Sequence, residues 1–546
     1  MMNSLHVPET QTLQTSVKRR WIYLLLMVIL LGSIVLRFHL LPIPLERDEG
    51  EYAYAGQLIL QGIPPYVQLY NMKMPGIYLA YAIILSVFGE TPTAIHTGLL
   101  FVNLTTILLL FLFTRKLFDD LTALTAAAAF TILSVNPFVH GVFAHAEHFV
   151  LLFVMASLLL LLNGLNRSQL CWMFLSGFFS GIAFLMKQPA ASFTGLSITF
   201  ILINDLFRNR PPSARVFVKP MTFMAGVLVP LGLTGLFFFS IGILDKFLFW
   251  TFTYAREYVS LTRPAFGFAD LKISLTNIFK YSYILCILAI TGVFSLLLNK
   301  KEYENHIFIF LMTIFSILSI TPGFHFREHY FILVLPVASI LVALALKSLH
   351  DHLAWLNASL KKPLITAIIL LVLFFSILPV QSYLFSMTPF EALRLTHTLN
   401  PFPESLAIAQ YIKENSQPSD KIAVIGSEPQ IYFYARRQAA TGYIYMYPLM
   451  EPQRFSLDMQ REMIREIESA KPKYLVFVNI TTSWLVKPGS DPLIFNWFYD
   501  YVSKYYQCKG LVELISSSVT NYRWNNDVHS CSSSLPLWIS IYKRTS

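Results

Sequence analysis

Long apolar segments alternate with short polar links along most of the chain. Runs of this length and hydrophobicity predict helices that cross a bilayer. We expect about eleven of them, at residues 21–41, 96–114, 121–137, 148–163, 171–186, 189–207, 217–242, 276–298, 306–321, 330–346 and 363–380. A polytopic α-helical membrane protein is therefore the predicted fold class.

The positions of the basic residues predict the orientation of these helices. With the tail 1–20 in the cytoplasm, the links that carry clustered Lys and Arg all face the cytoplasm, as the positive-inside bias requires. The opposite links face out, among them the first outer loop, 42–95, and the segment 381–546. An apolar run from Ile77 to Phe88 is read as an interfacial or re-entrant helix, because a crossing there would invert every later link. The clusters are Lys18-Arg19-Arg20, Arg115-Lys116, Arg208 to Lys219, Lys300-Lys301 and Lys361-Lys362.

Composition agrees with this topology. The 546 residues are 55% hydrophobic and only 13% charged, so the bulk of the chain needs lipid as its solvent. The net charge of +10 comes largely from the basic links. The sequence has no basic stripe with interleaved aromatic residues, the pattern that would indicate nucleic-acid binding.

Residues 381–546 differ from the membrane part, 21–380, because proline and charged residues increase there. Strand-like and helix-like segments alternate, which predicts a small extracytoplasmic α/β domain. The expected helices are Glu404 to Asn415 and Asp458 to Ala470, and the expected strands are Lys421 to Gly426 and Tyr474 to Asn479.

The four cysteines fall into two groups. Cys171 and Cys286 lie at or in apolar runs, where cysteine usually serves packing. Cys508 and Cys531 lie in the C-terminal segment, and an extracytoplasmic location would permit a disulfide between them. Two unpaired thiols are the alternative.

Four acids within six residues follow the first apolar run, at 46, 48, 49 and 51. Carboxylates beside a membrane are costly to desolvate, so they are candidates for function as well as for a solvated loop. A carboxylate can act as a general base, and either Asp48 or Glu49 could fill that role, with the other as its partner or a supporting acceptor. Lys73, later in the same loop, is a candidate to bind phosphate.

Two further outer links contain clustered polar residues. In the second, His145, Glu147 and His148 are expected to bind an acceptor or relay protons, with a zinc site as the less favoured alternative. Lys187 and Arg327 lie in later outer links and are candidates to bind phosphate, Arg327 together with Tyr330. The alternatives are that Lys187 extends toward the membrane surface and that Arg327 pairs with Glu328.

The order of these motifs resembles the bacterial protein-mannosyltransferase-like glycosyltransferases, which share the GT-C fold with the aminoarabinose transferase of lipid A. The matching features are Asp48-Glu49, Lys73 with Pro75, Lys187 after a Gly-containing span, and Arg327-x-His329-Tyr330. The resemblance covers roughly residues 20–350, plus a C-terminal extracytoplasmic domain.

The resemblance implies inverting transfer of a sugar from a polyprenyl-phosphate donor to an acceptor hydroxyl on a protein, lipid or glycan, outside a bacterial plasma membrane. It implies that Asp48 is the base, that Lys73 contacts the lipid phosphate and that Glu147 is the second acidic residue. The aminoarabinose transferase has a zinc-binding Glu directly before its first-loop Lys, but Met72 stands here, so neither a metal nor another cofactor is expected. A transporter or flippase is the main alternative, although no inverted repeat is evident. A mere membrane anchor for the C-terminal domain would not require these loop motifs.

Overall fold

The computed structural model describes residues 9–167, 169–208, 214–261, 264–298 and 303–545. Lys300, Lys301 and part of the Arg208 to Lys219 link lie outside the described residues. Within the described residues, the membrane part has fifteen α-helices: α1 Glu9–Phe38, α2 Arg47–Leu60, α3 Pro75–Phe88, α4 Pro92–Leu117, α5 Asp120–Leu133, α6 Ala146–Arg167, α7 Leu170–Met186, α8 Ala191–Arg208, α9 Val218–Ser240, α10 Leu244–Leu248, α11 Ala255–Ser260, α12 Pro264–Leu298, α13 Tyr303–Ile320, α14 Leu335–His352 and α15 Ala358–Ile377.

The chain is a multi-pass membrane protein, but the expected eleven spans are not confirmed. Within the described ranges, eight segments are long and apolar enough to cross a membrane. They are Arg20–Phe38, Pro92–Leu117, Ala146–Leu165, Val218–Ser240, Pro264–Leu296, Tyr303–Ile320, Glu328–His352 and Ser359–Val380. The expected spans 121–137, 171–186 and 189–207, which correspond to α5, α7 and α8, are not among them. Helices α5 and α7 are apolar but have only 14 and 17 residues, and the 18 residues of α8 include the polar residues Asn204, Asp205 and Arg208. Pro137 and Pro189 follow α5 and α7 within a few residues, and the ring of proline cannot continue a helix.

Helices α7 and α9 pack with their backbones in close contact. A side chain on Gly177 would collide with the backbone oxygen of Phe223, and one on Gly226 would collide with that of Phe174. Small residues permit such close packing between membrane helices. The C-terminal end of α7, and therefore Lys187 directly after it, is fixed by this contact.

The C-terminal part forms a mixed sheet flanked by helices. Its strands are β1 Ile422–Ile425, β2 Tyr474–Asn479, β3 Tyr506–Leu514, β4 Thr520–Trp524 and β5 Trp538–Arg544, in the order β1-β2-β5-β3-β4. Its helices are α16 Pro389–His397, α17 Phe402–Glu414, α18 Gln430–Ala435, α19 Tyr447–Met450, α20 Ser456–Ala470, α21 Thr481–Trp484 and α22 Leu493–Tyr505. The parallel pair β1 and β2, with α20 between them in sequence, confirms the predicted strand–helix–strand order. Cys508 and Cys531 form a disulfide between β3 and the loop before β5.

The C-terminal domain is packed tightly against the first loop of the membrane part. Gly50 of α2 lies against the backbone of Gln430 in α18, so that a Cβ on Gly50 would lie 2.6 Å from the Gln430 nitrogen. Arg47 forms an ion pair with Glu428 at 3.1 Å and also donates a hydrogen bond to the Ser427 carbonyl oxygen. These contacts bring the start of α2 and the C-terminal domain to one cavity.

Candidate active site

A cavity of about 520 Å³ lies between the membrane part and the C-terminal domain. Its lining combines the first loop, the link after α7, the turn before α14 and segments that follow β1 in the chain. Six residues singled out from the sequence line it, namely Asp48, Lys73, His145, Lys187, Arg327 and Tyr330. Side chains from four separate parts of the chain therefore face one space, which is large enough for a phosphate and a sugar ring.

Asp48 lies in the first turn of α2, where the helix dipole favours a negative charge. Glu46 is the N-cap of this helix and forms a capping box with Glu49. Both carboxylate oxygens of Asp48 have partners: Lys73 Nζ lies 3.2 Å from Oδ2, and the Tyr445 hydroxyl donates to Oδ1 at 3.0 Å. The carboxylate is thus held in one orientation at the cavity wall.

Two opposing influences determine the charge of Asp48. Burial raises its pKa, but nearby charges, chiefly that of Lys73, outweigh burial and hold the pKa of Asp48 below its ordinary value. Burial lowers the pKa of Lys73, but Asp48 and Glu51 outweigh it and raise that pKa. Asp48 is therefore ionised and Lys73 charged at neutral pH.

Glu49 points away from the cavity. Its side chain is fully buried and accepts hydrogen bonds from the backbone N–H groups of Ala144 and Glu46, and it lies 2.9 Å from His96 Nε2. Consecutive helical residues point about 100° apart, and here Asp48 lines the cavity while Glu49 is turned toward His96 and Ala144. This arrangement favours the supporting role for Glu49, while its assignment as a catalytic residue stays a prediction.

Glu147 and His148 are also buried and do not line the cavity. Glu147 instead accepts a hydrogen bond from Lys187 Nζ at 2.5 Å. Lys187 Nζ also lies 4.6 Å from the ring centroid of Tyr330, within range of a cation–π contact. Lys187 is therefore fixed at the cavity by Glu147 and Tyr330.

Arg327 lies in the turn before α14 and lines the cavity. Four tyrosines interact with the charge of Arg327. Tyr258 and Tyr330 belong to the membrane part, and Tyr445 and Tyr447 belong to the C-terminal domain. With Lys73 and Lys187, Arg327 gives the cavity three cationic side chains. Three cations around one cavity form a suitable site for a phosphate.

Several cavity residues have no recognisable sequence signal. Tyr445, Tyr447 and Glu451 come from the C-terminal domain, and Glu451 accepts a hydrogen bond from Tyr254 of the membrane part. Burial raises the pKa of Glu451 to about 7. His140 and His329 line the cavity beside His145. The histidines and Tyr254 stood in predicted outer links, but the contribution of the C-terminal residues depends on tertiary contacts that no local pattern reveals.

Comparison with known proteins reveals a family match and similar folds. Residues 72–234 match the family model of the dolichyl-phosphate-mannose-protein mannosyltransferases. No protein of curated function matches the sequence.

Among solved structures, ArnT from Cupriavidus metallidurans in the apo state is similar with a TM-score of 0.58 and 16% identity, over 90% of this chain and 96% of that one. The same protein bound to undecaprenyl phosphate gives a TM-score of 0.55 and 18% identity, over 84% and 93%. The oligosaccharyltransferase AglB from Archaeoglobus fulgidus, in complex with an inhibitory peptide and a dolichol-phosphate, gives 0.56 and 15%, over 93% and 75%.

These matches confirm the resemblance inferred from the loop motifs. The chain has the GT-C fold, and a segment within its membrane part matches the mannosyltransferase family model. The order of Asp48, Lys73, Lys187 and Arg327 along the chain, on one side of the predicted membrane, already indicated this fold class.

Proposed function

We propose that this protein is an inverting glycosyltransferase that moves a sugar from a polyprenyl phosphate to an acceptor hydroxyl at the outer face of a bacterial plasma membrane. One observation carries the proposal: an ionised carboxylate, Asp48, faces the same cavity as Lys73, Lys187 and Arg327. Such transfer requires a base for the hydroxyl and cations for the departing phosphate. The undecaprenyl phosphate and dolichol-phosphate bound by the similar structures support this class of donor.

The reaction can be written with these groups. The acceptor oxygen attacks the anomeric carbon while the bond from that carbon to the phosphate oxygen breaks. Asp48 takes the hydroxyl proton, and polyprenyl phosphate leaves with the bonding electrons. The lowered pKa of Asp48 makes it a weak base, so proton transfer should be completed late, when the sugar carbon is already electron-poor.

Lys73 connects the two halves of this reaction. In the structure it is paired with Asp48. A bound phosphate would share the charge of Lys73, which would raise the pKa of Asp48 and strengthen it as a base. Donor binding would thereby activate the base.

The distribution of the basic links supports a location of the cavity on the outer side of the membrane. Lipid-linked sugars are suited to that side, because soluble nucleotide sugars are made in the cytoplasm. The hydroxyl acceptor is a protein, a lipid or a cell-surface glycan.

The proposal is tested by sugar transfer in membranes that contain equal amounts of the wild type, Asp48→Asn or Asp245→Asn. Asp245 is an exposed acid at α10 that does not line the cavity, so it serves as the matched control. With a radiolabelled polyprenyl-phosphate sugar, Asp48→Asn should lose activity by about 10³-fold, within the range that a general base contributes. Asp245→Asn should retain wild-type transfer. Full activity in Asp48→Asn would exclude Asp48 as the base.

A further inference from the structure

Four histidines from three parts of the chain meet at one side of the cavity. The His145 and His329 rings are stacked with centroids 4.3 Å apart, and His140 lies 4.6 Å from His397. One ring nitrogen from each of His140, His145 and His329 lies within 4.8 Å of the other two. His140 and His145 precede α6, whereas His329 follows Arg327, so the group forms only in the folded chain.

Buried nitrogens in this cluster lack hydrogen bonds. Nδ1 of His140 and both ring nitrogens of His145 form no hydrogen bond among the described residues, although these residues are only 8% and 2% exposed. Glu46 Oε1 lies 3.8 Å from His145 Nδ1, beyond hydrogen-bonding distance. Buried polar atoms are nearly always paired with protein groups, water or a ligand, so unpaired nitrogens that line a cavity are available to bind a ligand.

We propose that His140, His145 and His329 bind a divalent transition-metal ion of the zinc type. Neutral imidazoles are ligands that zinc accepts readily, and three of them leave a coordination position open. Two carboxylates adjoin the three histidines: one oxygen each of Glu46 and Asp48 lies within 4.8 Å of the other and of a nitrogen of His145. Magnesium or calcium would instead require mainly oxygen ligands.

The arrangement of the rings defines what binding requires. The planes of His145 and His329 are only 10° apart, and stacked parallel rings cannot both direct their in-plane lone pairs at one ion. One ring must turn about its Cβ–Cγ bond.

This site differs from the zinc position that the family resemblance implies. That position would use residue 72, where this chain has Met. It differs also from the site considered in the sequence, because Glu147 and His148 do not contribute. His329 replaces them from a separate outer link. The ion would lie beside Asp48, yet its binding does not depend on the proposed sugar transfer.

The test measures zinc binding to the purified full chain in detergent. After removal of metal with a chelator and dialysis against Zn²⁺, the wild type should retain about one zinc per chain by elemental analysis. His145→Phe and His329→Phe keep a ring of similar size but remove the ligand nitrogens. Each should weaken zinc binding by more than about 10-fold, because even the loss of a residue that only hydrogen-bonds to a metal-bound histidine typically lowers metal affinity by that factor. His148→Phe is the matched control, because this buried histidine lies outside the cluster, and it should bind zinc like the wild type.

A second readout does not rely on any variant. Cobalt(II) bound to the wild type should show the visible absorption of a nitrogen-rich, low-coordinate site. Absence of stoichiometric zinc in the wild type, equal zinc in all variants, or a cobalt spectrum identical to that of the hydrated ion would overturn the proposal. The imidazoles would then serve as hydrogen-bonding groups for a sugar. Because zinc content is measured without transfer, failure of this proposal would leave the proposed function untouched.

Discussion

The two walls of the cavity differ in chemistry. The membrane wall, defined as Asp48, Lys73, Lys187 and Arg327, presents charged groups. The C-terminal wall, defined as Tyr445, Tyr447 and Glu451, presents phenols and one carboxyl whose pKa is raised by burial to about 7. Charges suit the phosphate and the proton transfer, whereas phenols suit the orientation of groups that carry no charge. We infer that the membrane wall performs the chemistry and that the C-terminal wall positions the groups that take part.

The two walls meet at the base, Asp48, through a hydrogen bond. Tyr445 donates to one oxygen of Asp48, while Lys73 occupies the other. An ionised carboxylate has about four acceptor sites, so an acceptor hydroxyl can bind beside these two groups. The C-terminal domain is thus part of the site and cannot be regarded as an appendage.

The largest effect is expected when a charge is removed from the membrane wall. Lys73→Met should slow transfer by about 100-fold, comparable to the loss of one preorganised donor that stabilises developing charge. Removing Lys73 also removes the main influence that lowers the pKa of Asp48, so the acid limb of the pH–rate profile should move to higher pH. Initial rates between about pH 4 and pH 8 measure both effects, around the ordinary carboxyl pKa.

Lys246→Met is the matched control for that substitution. Lys246 also lies on the predicted outer side, but it contacts the Tyr70 ring and does not line the cavity. Equal losses in both variants would contradict a specific role for Lys73.

A smaller effect is expected on the C-terminal wall. Tyr445→Phe removes the hydrogen bond to Asp48 and should slow transfer by about 10-fold, as expected for a bond to a charged group. Tyr443→Phe is the control in the same segment, because the Tyr443 hydroxyl donates to Glu462 and does not line the cavity. If Tyr445→Phe equals the control in rate and in pH–rate profile, the C-terminal wall does not position the base.

Glu49→Gln should act mainly on stability. Glu49 is fully buried beside His96, and breaking a buried pair of this kind typically costs on the order of 3 kcal/mol. We expect a lower thermal midpoint in detergent and a much smaller loss of transfer per folded molecule than in Asp48→Asn. A loss of transfer as large as that of Asp48→Asn, with an unchanged midpoint, would instead make Glu49 catalytic.

The smallest effect concerns Glu51, which accepts hydrogen bonds from Tyr78 and Asn71. Burial raises the pKa of Glu51 to about 7 in the folded state, so the folded chain holds this proton more tightly than the unfolded chain does. Its contribution to stability is therefore complete below about pH 4.5, the ordinary glutamate range, and is lost as the pH rises toward 7. Glu51→Gln should flatten the decrease of the thermal midpoint between these pH values, and Glu414→Gln, at an exposed glutamate, should not. A slope unchanged by Glu51→Gln would contradict the raised pKa.

The two walls also differ in what the sequence could predict. Charged residues at the ends of apolar runs must lie outside the bilayer core, so Asp48, Lys73, Lys187 and Arg327 could be assigned to one side and then to one site. The different orientations of Asp48, which lines the cavity, and Glu49, which contacts His96, could be assigned only when the start of α2 was known. Tyr445 and Glu451 could not be found, because their approach depends on the packing of α2 against α18.

The fold was predictable to a similar degree. Helix α20 and strands β1 and β2 lie where the pattern of apolar positions placed them. The number of spans was not predictable, because α5 and α7 are shorter than a bilayer requires and are packed among other helices. Strands β3 to β5 join the sheet through antiparallel pairs that are distant in sequence, which no local pattern specifies.

The most direct measurement compares two donors that carry the same radiolabelled sugar, one as a polyprenyl phosphate and one as a nucleotide sugar. Membranes with the wild-type chain should transfer label from the polyprenyl phosphate and release free polyprenyl phosphate in equal amount. Membranes stripped of lipid intermediates should transfer nothing from the nucleotide sugar. Direct transfer from the nucleotide sugar, without a lipid-linked intermediate, would contradict the assignment of the three cations to a lipid phosphate.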